Sequence, residues 1–341
     1  MEHFSTYLFI ILLFFLNVNK ENLISNKYKL LNKMESIKKS DIPKPLLKWV
    51  GGKGQIIDTL MRMVPKKINN YHELFIGGGS FLIMILWLKS KGLIDIKGHI
   101  FASDLNEALI GFYNNVKFRK DELYKHITGV IAEFDTCPVD GQVIRRPTCD
   151  EDRLTSKESY YFWIRKMFNS VSDKSNIESS SYFLFLNKTN FRGMYREGPN
   201  GYNIPYGNNT NPGIINKEAL NYISELIQDV IFTHCDFRDG FANVDMSGDF
   251  VYLDPPYAPE SDKSFVGYTK DGFDIGQHEL LFQLTNDISK KNMIMMSNAN
   301  VQLVRNNLSY EDYIYDIISC RRAINSSNPA AKTDEVIITN Y

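Results

Sequence analysis

An acidic residue, two prolines and a tyrosine follow an apolar run late in the chain. Phe250 to Leu253 are all apolar, and Asp254-Pro255-Pro256-Tyr257 comes directly after them. A strand that ends in two prolines cannot continue its hydrogen-bond ladder, so the chain must turn rigidly at the edge of the sheet. The corner then holds a carboxylate, a backbone carbonyl and an aromatic ring in fixed positions. These groups suit an exocyclic amine, since the two oxygens accept its hydrogens while the tyrosine stacks on the attached ring.

A structural interpretation of the same corner stays open from these residues alone. Short motifs arise by chance, and a proline turn after an acidic strand end needs no chemistry. The catalytic interpretation gives Asp254 and the Pro255 carbonyl a shared task, which is to draw the nitrogen lone pair out of conjugation. The catalytic interpretation therefore requires, next to the corner, a site for the molecule whose group the nitrogen lone pair attacks.

A glycine-rich turn lies early in the chain, between a candidate strand and a candidate helix. Its residues are Glu73-Leu74-Phe75-Ile76-Gly77-Gly78-Gly79-Ser80. Glycines let the backbone approach a ligand closely, and the helix N-terminus begins at the same place. Asp104, at the end of the next strand, suits the ribose hydroxyls of an adenosine-containing cofactor. The spacing does not match GxGxxG, which disfavours NAD, and a plain tight turn is the alternative.

A third motif, Lys48-Trp49-Val50-Gly51-Gly52-Lys53, precedes this turn. Its simplest interpretation is a flexible basic loop. The tryptophan beside two glycines also suits a cofactor, with its ring packing on a sulfonium or an adenine while Lys53 meets a carboxylate.

The elements that must position these motifs follow the pattern of an α/β protein from residue 44 onward. The predicted strands are 71–75, 99–103, 230–234, 250–253, 292–297, 313–318 and 335–339, and the predicted helices are 55–63, 80–91, 106–119, 217–228, 276–290 and 301–308. This alternation predicts a parallel sheet with helices on both faces and ligands at the carboxyl ends of its strands.

Residues 120–215 interrupt the alternation. They predict helices over 121–134, 157–171 and 179–188, then a β-hairpin over 191–206 centred on Gly198-Pro199-Asn200-Gly201. Residues 135–156 are polar and punctuated by proline and glycine, which predicts a mobile loop. We expect an inserted helical module that ends in a β-hairpin at 120–215, and a second domain formed by 41–119 and 216–341.

Taken in order, these motifs resemble the Dam-like, D12 class of DNA adenine N6-methyltransferases, from about Pro45 to the C-terminus. KWVGGKG is similar to the K-W-x-G-G-K element, LFIGGGS to F-x-G-x-G and LDPPYAP to D-P-P-Y. Residues 187–196 and 201–207 resemble the target-recognition hairpin of that family. Two departures are modest: Leu74 stands where many relatives have proline, and the stretch 134–155 is longer than the minimal form.

The resemblance implies a Rossmann-like methyltransferase sheet that binds S-adenosylmethionine and flips an adenine out of the duplex. The implied catalytic residues are Asp254, Pro255, Pro256 and Tyr257. The implied cofactor-binding residues are Trp49, Lys53, Glu73, Phe75, Gly77, Gly79, Asp104, Asp236, Phe237 and Asp254. The family favours a short palindrome of the GATC or CATG type, with a cognate restriction endonuclease as a possible partner.

For DNA contacts, the implied residues are Lys188, Asn190, Arg192, Arg196 and Tyr206. The hairpin segment 187–207 carries Lys188, Arg192 and Arg196 against Glu197, while the formal net charge of the chain is −1. DNA binding must therefore come from a local basic patch. An arginine fork can read guanine and a flanking aromatic ring can wedge into the stack. We assign Arg192 to a base and Arg196 to a phosphate, with solvated arginines as the alternative.

The remaining composition is that of a folded protein without metal chemistry. Hydrophobic residues make up 43% and aromatic residues 13% of the chain. Four cysteines form no CxxC pair and six histidines no HExxH set, so we expect a reducing compartment and no metal. We expect the protein in the cytoplasm, or wherever its target DNA resides.

The N-terminus carries an apolar decamer, Tyr7 to Leu16, within residues 1–40. Ten residues are too few to span a bilayer, which takes about 20 in a helix. No basic residue precedes the decamer and no A-x-A-like cleavage site follows it, which argues against a signal peptide. Translation from Met34, or a dispensable extension over 1–40, are the two hypotheses.

Two functions from other classes stay open at this point. One is a methyltransferase that acts on RNA or protein, although glutamine-modifying enzymes usually show Asn-Pro-Pro-Tyr. The other is a non-catalytic DNA-binding or membrane-tethered module, in which the N-terminal decamer would be the relevant feature.

Overall fold

A computed structural model describes residues 36–209, 211–244, 247–259, 273–321 and 332–341 of the 341-residue chain. Most of the N-terminal extension, including the apolar decamer, therefore lies outside the described residues. Ile37 packs against the core and Ile42 is buried in it. Packing against the core therefore extends to Ile37, a few residues before the predicted boundary at 41.

The helices and strands of the described residues follow the predicted alternation. The strands are β1 (Lys67–Ile68), β2 (Tyr71–Glu73), β3 (Asp95–Ile96), β4 (Ile100–Asp104), β5 (Glu197–Gly198), β6 (Gly201–Tyr202), β7 (Val230–His234), β8 (Phe250–Leu253), β9 (Met293–Ala299), β10 (Ile314–Arg321) and β11 (Lys332–Thr339). The helices are α1 (Ile57–Met63), α2 (Ser80–Ser90), α3 (Glu107–Phe118), α4 (Lys120–Thr136), α5 (Asp150–Arg153), α6 (Lys157–Ser170), α7 (Ile177–Thr189), α8 (Lys217–Leu226), α9 (Phe237–Phe241), α10 (Ile275–Ser289) and α11 (Gln302–Asn307).

A seven-stranded mixed sheet, counted over these residues, forms the centre of the fold in the order β10-β11-β9-β8-β2-β4-β7. The five strands from β9 to β7 are parallel, which confirms the predicted Rossmann-like α/β class. β11 runs antiparallel to both of its neighbours, so the expectation of an all-parallel sheet is wrong for this strand. The physical reason is the connection from β10 to β11, which is shorter than the roughly dozen residues that a parallel crossover needs.

Both faces of the sheet are covered by apolar side chains. Phe250 and Tyr252 of β8 belong to one hydrophobic core, whereas Val251 and Leu253 belong to a second. Successive side chains of a strand point to opposite faces, so the two cores lie on opposite sides of the sheet. The first core takes in α1, α2 and α3, and the second takes in α10 and α11.

The segment between β4 and β7 contains the predicted inserted helices and the hairpin. α7 is buried along nearly its whole length, so it forms the centre of this helical cluster. The hairpin pairs Glu197 with Tyr202 and Gly198 with Gly201, around the predicted turn. A further bridge joins Asn190 to Tyr206 near its base. The division of the chain into two domains stays a prediction.

Several short elements were not predicted. β1 and β3 form a separate two-stranded parallel pair. α5 lies inside the segment predicted as a mobile loop, where proline and glycine dominate the local signal. α9 begins after Asp236, whose side chain accepts a hydrogen bond from Arg238 N and so caps the helix.

Candidate active site

The glycine-rich turn and the Asp-Pro-Pro-Tyr corner lie at the same edge of the sheet. β2 ends at Glu73 and β8 ends at Leu253, and these two parallel strands are neighbours. The chain leaves β2 for β4 on one side, while β8 lies on the other, so this is where the strand order reverses. Open α/β sheets bind ligands in the crevice at such a switch point. The two motifs therefore meet where a ligand site is expected.

The glycine-rich turn is built for close approach. Gly77 and Gly79 have φ of +47° and +71°, a region that L side chains rarely adopt. A Cβ at Gly77 would lie 2.8 Å from Trp49 Cδ1, so the indole ring rests directly on the turn. Gly77 N donates to Asp104 Oδ2 at 3.0 Å. The turn thus brings Trp49 and Asp104 together.

Lys53 joins the glycine-rich turn to the Asp-Pro-Pro-Tyr corner. Its backbone N–H donates to Ser80 Oγ at 3.2 Å, at the start of α2, and its Nζ donates to the Gly51 carbonyl at 2.7 Å. The same Nζ lies 2.5 Å from Asp254 Oδ2. The Lys53 side chain is 3% exposed and that of Asp254 is 21% exposed. One buried cation therefore ties the two motifs into a single site.

Hydrogen bonds fix Tyr257 at its hydroxyl group and at the backbone of the next residue. Its hydroxyl donates to Glu335 Oε2 at 2.9 Å. The next residue, Ala258, donates its N–H to Asn298 Oδ1 at 2.9 Å. Lys53 Nζ lies 5.3 Å from the centre of the ring. The corner is thus fixed by groups from two further strands, β9 and β11.

Burial dominates the electrostatics of the carboxylates at this edge. Burial raises the pKa of Asp254, and the positive charge of Lys53 opposes the rise. Burial also raises the pKa of Glu73 well above its usual value, although Tyr71 donates a hydrogen bond to its Oε2 at 2.6 Å. The pKa of Asp104 is raised by burial and lowered by hydrogen bonds from backbone N–H groups, including that of Gly77. Such shifted carboxylates in a crevice are typical of functional sites.

The aromatic residues expected near the cofactor form one cluster. The rings of Phe75 and Phe237 stack with centroids 5.7 Å apart, and Phe273 packs against both. Asp236, by contrast, is already paired: Arg238 donates to both of its carboxylate oxygens, at 2.7 and 2.9 Å, which lowers its pKa. Contact between Asp236 and the adenine ring of a cofactor stays a prediction.

The predicted DNA hairpin is attached directly to the Trp49 motif. The Asn187 side chain accepts from Lys48 N at 2.8 Å and donates to the Lys48 carbonyl at 2.7 Å. Tyr195 of the hairpin stacks on Trp49, with centroids 5.8 Å apart. The hairpin and the glycine-rich turn therefore both contact Trp49.

The hairpin residues expected to bind DNA occupy different environments. Arg192 and Arg196 are exposed. Arg192 has φ of +61°, and its guanidinium lies 5.0 Å from the centre of the Phe191 ring. Arg196 Nε donates a hydrogen bond to Asn203 Oδ1. Burial and the charge of Lys48 lower the pKa of Lys188 to about 8. A separate pair lies inward: Asn190 is buried and donates to the Met194 carbonyl and to Tyr202 Oη, and half-buried Tyr206 packs on Tyr161. Direct DNA contact by any of the five stays a prediction.

Three contributors were missed from the sequence. Glu335 appeared only as the first residue of a predicted strand, Tyr71 only as the start of another, and Tyr195 only within the hairpin pattern. Glu335 and Tyr195 each contact a residue that is distant in the sequence, and no local signal marks such a pairing. For Tyr71 a signal did exist, since residues two apart on a strand share a face with Glu73.

Other features of the described residues concern metal ligands, membrane spans and thiols. No group of three His, Cys, Asp or Glu side chains among them could hold a metal ion. None of the helices traced in this part of the chain has the length and apolarity to cross a bilayer. Cys137, Cys149 and Cys235 are free thiols. His72 is buried and contacts Asp249 at 3.0 Å, as expected of a structural histidine.

Comparison with known proteins places these motifs in one family. The sequence model of the D12 class N6 adenine-specific DNA methyltransferases matches residues 49–321. A type II methyltransferase of Methanocaldococcus jannaschii is 31% identical, covering 87% of this chain and 99% of that protein. A type II methyltransferase of Lactococcus lactis subsp. cremoris is 29% identical, covering 87% and 95%. A DNA adenine methylase of Haemophilus influenzae is also 29% identical, covering 87% and 93%.

Proposed function

Since the chain belongs to the family of D12 class N6 adenine-specific DNA methyltransferases, we propose that it transfers a methyl group from S-adenosylmethionine to N6 of an adenine flipped out of a short palindromic site, of the GATC or CATG type. The observation that carries this proposal is the position of Lys53. Its backbone is anchored beside the glycine-rich turn and its side chain contacts Asp254, so a cofactor on the turn and a base at the corner share one crevice.

The residues present fit S-adenosylmethionine. The turn at Gly77 leaves no room for a side chain, and the buried carboxylate of Glu73 and the partly buried carboxylate of Asp104 suit the polar groups of an adenosine-containing cation. Trp49 and Lys53 complete the proposed binding set, with Phe75, Gly79, Asp236 and Phe237. When bound, the cofactor supplies an electrophilic methyl group.

The catalytic corner orients the amine of the base. Lys53 engages Oδ2 of Asp254, so we assign the other carboxylate oxygen and the Pro255 carbonyl to accept the two N6 hydrogens. Pro255 and Pro256 fix the direction of both acceptors, and Tyr257 stacks on the base. Hydrogen bonds that strengthen as positive charge develops on N6 lower the barrier. Asp254, with its raised pKa, suits uptake of the proton that N6 loses.

DNA binding is assigned to the hairpin, with Arg192 on a base edge and Arg196 on a phosphate. Lys188 adds local positive charge, while Asn190 and Tyr206 shape the base of the hairpin. Residues 120–215 would form the target-recognition domain and 41–119 with 216–341 the catalytic domain. A restriction endonuclease that acts on the same site is the second partner that we propose, as the type II names of two relatives suggest.

Transfer of a tritiated methyl group to duplex DNA, RNA and protein extract tests the substrate class. We expect label in duplex DNA, lost in Asp254→Ala and retained in Asp229→Ala, a control at an exposed ion pair. Label in RNA or protein instead of DNA would overturn the proposal, as would near-normal transfer by Asp254→Ala. Digestion of the product with methylation-sensitive restriction enzymes identifies the site.

A further inference from the structure

We propose that Glu335 is a positioning residue, which holds the Tyr257 ring in the orientation needed to stack on the target adenine. This inference rests on the proposed function of the corner, and it deepens it by adding a residue outside the motif. Tyr257 donates its phenol proton to Glu335 Oε2 at 2.9 Å, across 78 positions of sequence. The Tyr257 side chain is thus anchored at the end farthest from its backbone.

The antiparallel direction of β11 explains why an acidic residue near the end of the chain reaches the site. Glu335 is paired with Ala299, the last residue of β9. Because β11 runs against β9, its early residues lie at the carboxyl edge of the parallel strands, where the corner is. A parallel β11 would have put these residues at the opposite edge.

The two anchors of Tyr257 complement one another. Ala258 N–H bonded to Asn298 Oδ1 fixes the backbone after the ring, and the two prolines fix the backbone before it. A tyrosine ring can still turn about its two side-chain torsions when its backbone is fixed. The bond to Glu335 removes that freedom, so the ring is preorganised before the base arrives.

The charge of Glu335 acts on the same corner. Burial raises the pKa of both Tyr257 and Asp254, and the charge of Glu335 adds to the rise. The other groups that face Asp254 are Lys53, Glu73 and Tyr252. A negative charge here also favours the positive charge that develops on N6 during transfer.

Asp334 is the matched control for Glu335. It is the preceding residue of the same strand, it is also acidic, and its side chain is exposed to solvent. Alternation along the strand directs it to the other face. Asp334→Ala therefore removes an equal charge from β11 without touching Tyr257.

The test compares steady-state methylation by the wild type, Glu335→Ala, Glu335→Gln and Asp334→Ala. For Glu335→Ala we expect kcat to fall by about tenfold or more while the KM for S-adenosylmethionine changes by less than about twofold. Glu335→Gln keeps an acceptor for the phenol and should restore most of the rate. Asp334→Ala should match the wild type. Thermal unfolding of each variant checks the fold.

A double-mutant cycle separates positioning from a general loss of structure. Tyr257→Phe removes the phenol, so adding Glu335→Ala to it should cost little further rate. Fluorescence of 2-aminopurine at the target position reports base stacking, and it should increase in Glu335→Ala because a loose ring quenches it less.

Wild-type kcat in Glu335→Ala would overturn the inference and leave the proposed function standing. Additive losses in the double variant would also overturn it. A wild-type enzyme that transfers no methyl group to adenine would overturn the proposed function, and the inference with it.

Discussion

Lys53→Met should change the pH dependence of methyl transfer, and not only its rate. Lys53 Nζ lies 2.5 Å from Asp254 Oδ2, with the lysine 3% and the aspartate 21% exposed. Removing one partner of a buried ion pair costs about 3–5 kcal/mol. Because water reaches part of Asp254, we expect about 2 kcal/mol, which corresponds to a roughly 30-fold lower ratio of ionised to protonated Asp254.

The direction of the change with pH follows from the role of the ionised Asp254 carboxylate as a hydrogen-bond acceptor. Burial already raises the pKa of Asp254, so wild-type activity should fall as the pH drops through that raised value. Without the lysine charge the pKa of Asp254 rises further, and activity should begin to fall at a higher pH. Glu73 and Glu335 face the same carboxylate in both enzymes, so the comparison isolates Lys53.

The assay is the rate of tritiated methyl transfer to duplex DNA between about pH 5 and pH 9, at saturating cofactor. Lys53→Arg keeps the charge and should keep the wild-type profile. Lys89→Met is the matched control. Lys89 pairs with Asp229 at 3.0 Å, but both side chains are much more exposed than Lys53 and Asp254. The interaction energy lost with this pair should therefore stay under about 1 kcal/mol, and the pH profile should match that of the wild type. If Lys53→Met lowers the rate equally at every pH, Lys53 does not act through Asp254 and the reasoning fails.

Three further variants test the turn and the hairpin. Gly77→Ala places a Cβ 2.8 Å from Trp49 Cδ1. It should weaken S-adenosylmethionine binding in calorimetry and lower the free energy of unfolding by about 1–3 kcal/mol. The control Gly129→Ala, which has open space around the added Cβ, should change neither quantity. Asn187→Ala removes two bonds to the backbone of the cofactor motif and should lower the free energy of unfolding by about 2–3 kcal/mol in urea; an unchanged midpoint contradicts this. Arg196→Ala should weaken duplex binding in fluorescence anisotropy for every sequence and reduce the salt slope by about one, and a loss confined to one sequence would refute phosphate contact.

Local chemistry was enough to predict the elements that carry the motifs. The bounds of β7 and β8 agree with the prediction, because each contains an apolar run bounded by polar residues, and β8 is buried along its whole length. The turn at Gly77 and the corner at Asp254 follow from what glycine and proline permit in a backbone. Their meeting at one edge follows from parallel strands alone.

Contacts across the fold could not be predicted in the same way. The pair of Lys53 with Asp254, and the bond from Tyr257 to Glu335, depend on which strands become neighbours and in which direction they run. The alternation pattern is the same for a parallel and an antiparallel last strand, so it carried no information on β11. For Asp236 the pattern showed a carboxylate after a strand, but not that Arg238 pairs with it.

The attachment of segment 187–207 to the tryptophan motif limits how this segment can be exchanged between relatives. Asn187 bonds to the backbone of Lys48, and Tyr195 stacks on Trp49, although these partners lie far apart in the chain. A chimaera that imports only residues 120–215 would place foreign side chains against a resident indole and a resident loop. A chimaera that also exchanges residues 45–50 takes both partners of each contact from the same parent, so we expect it to fold better.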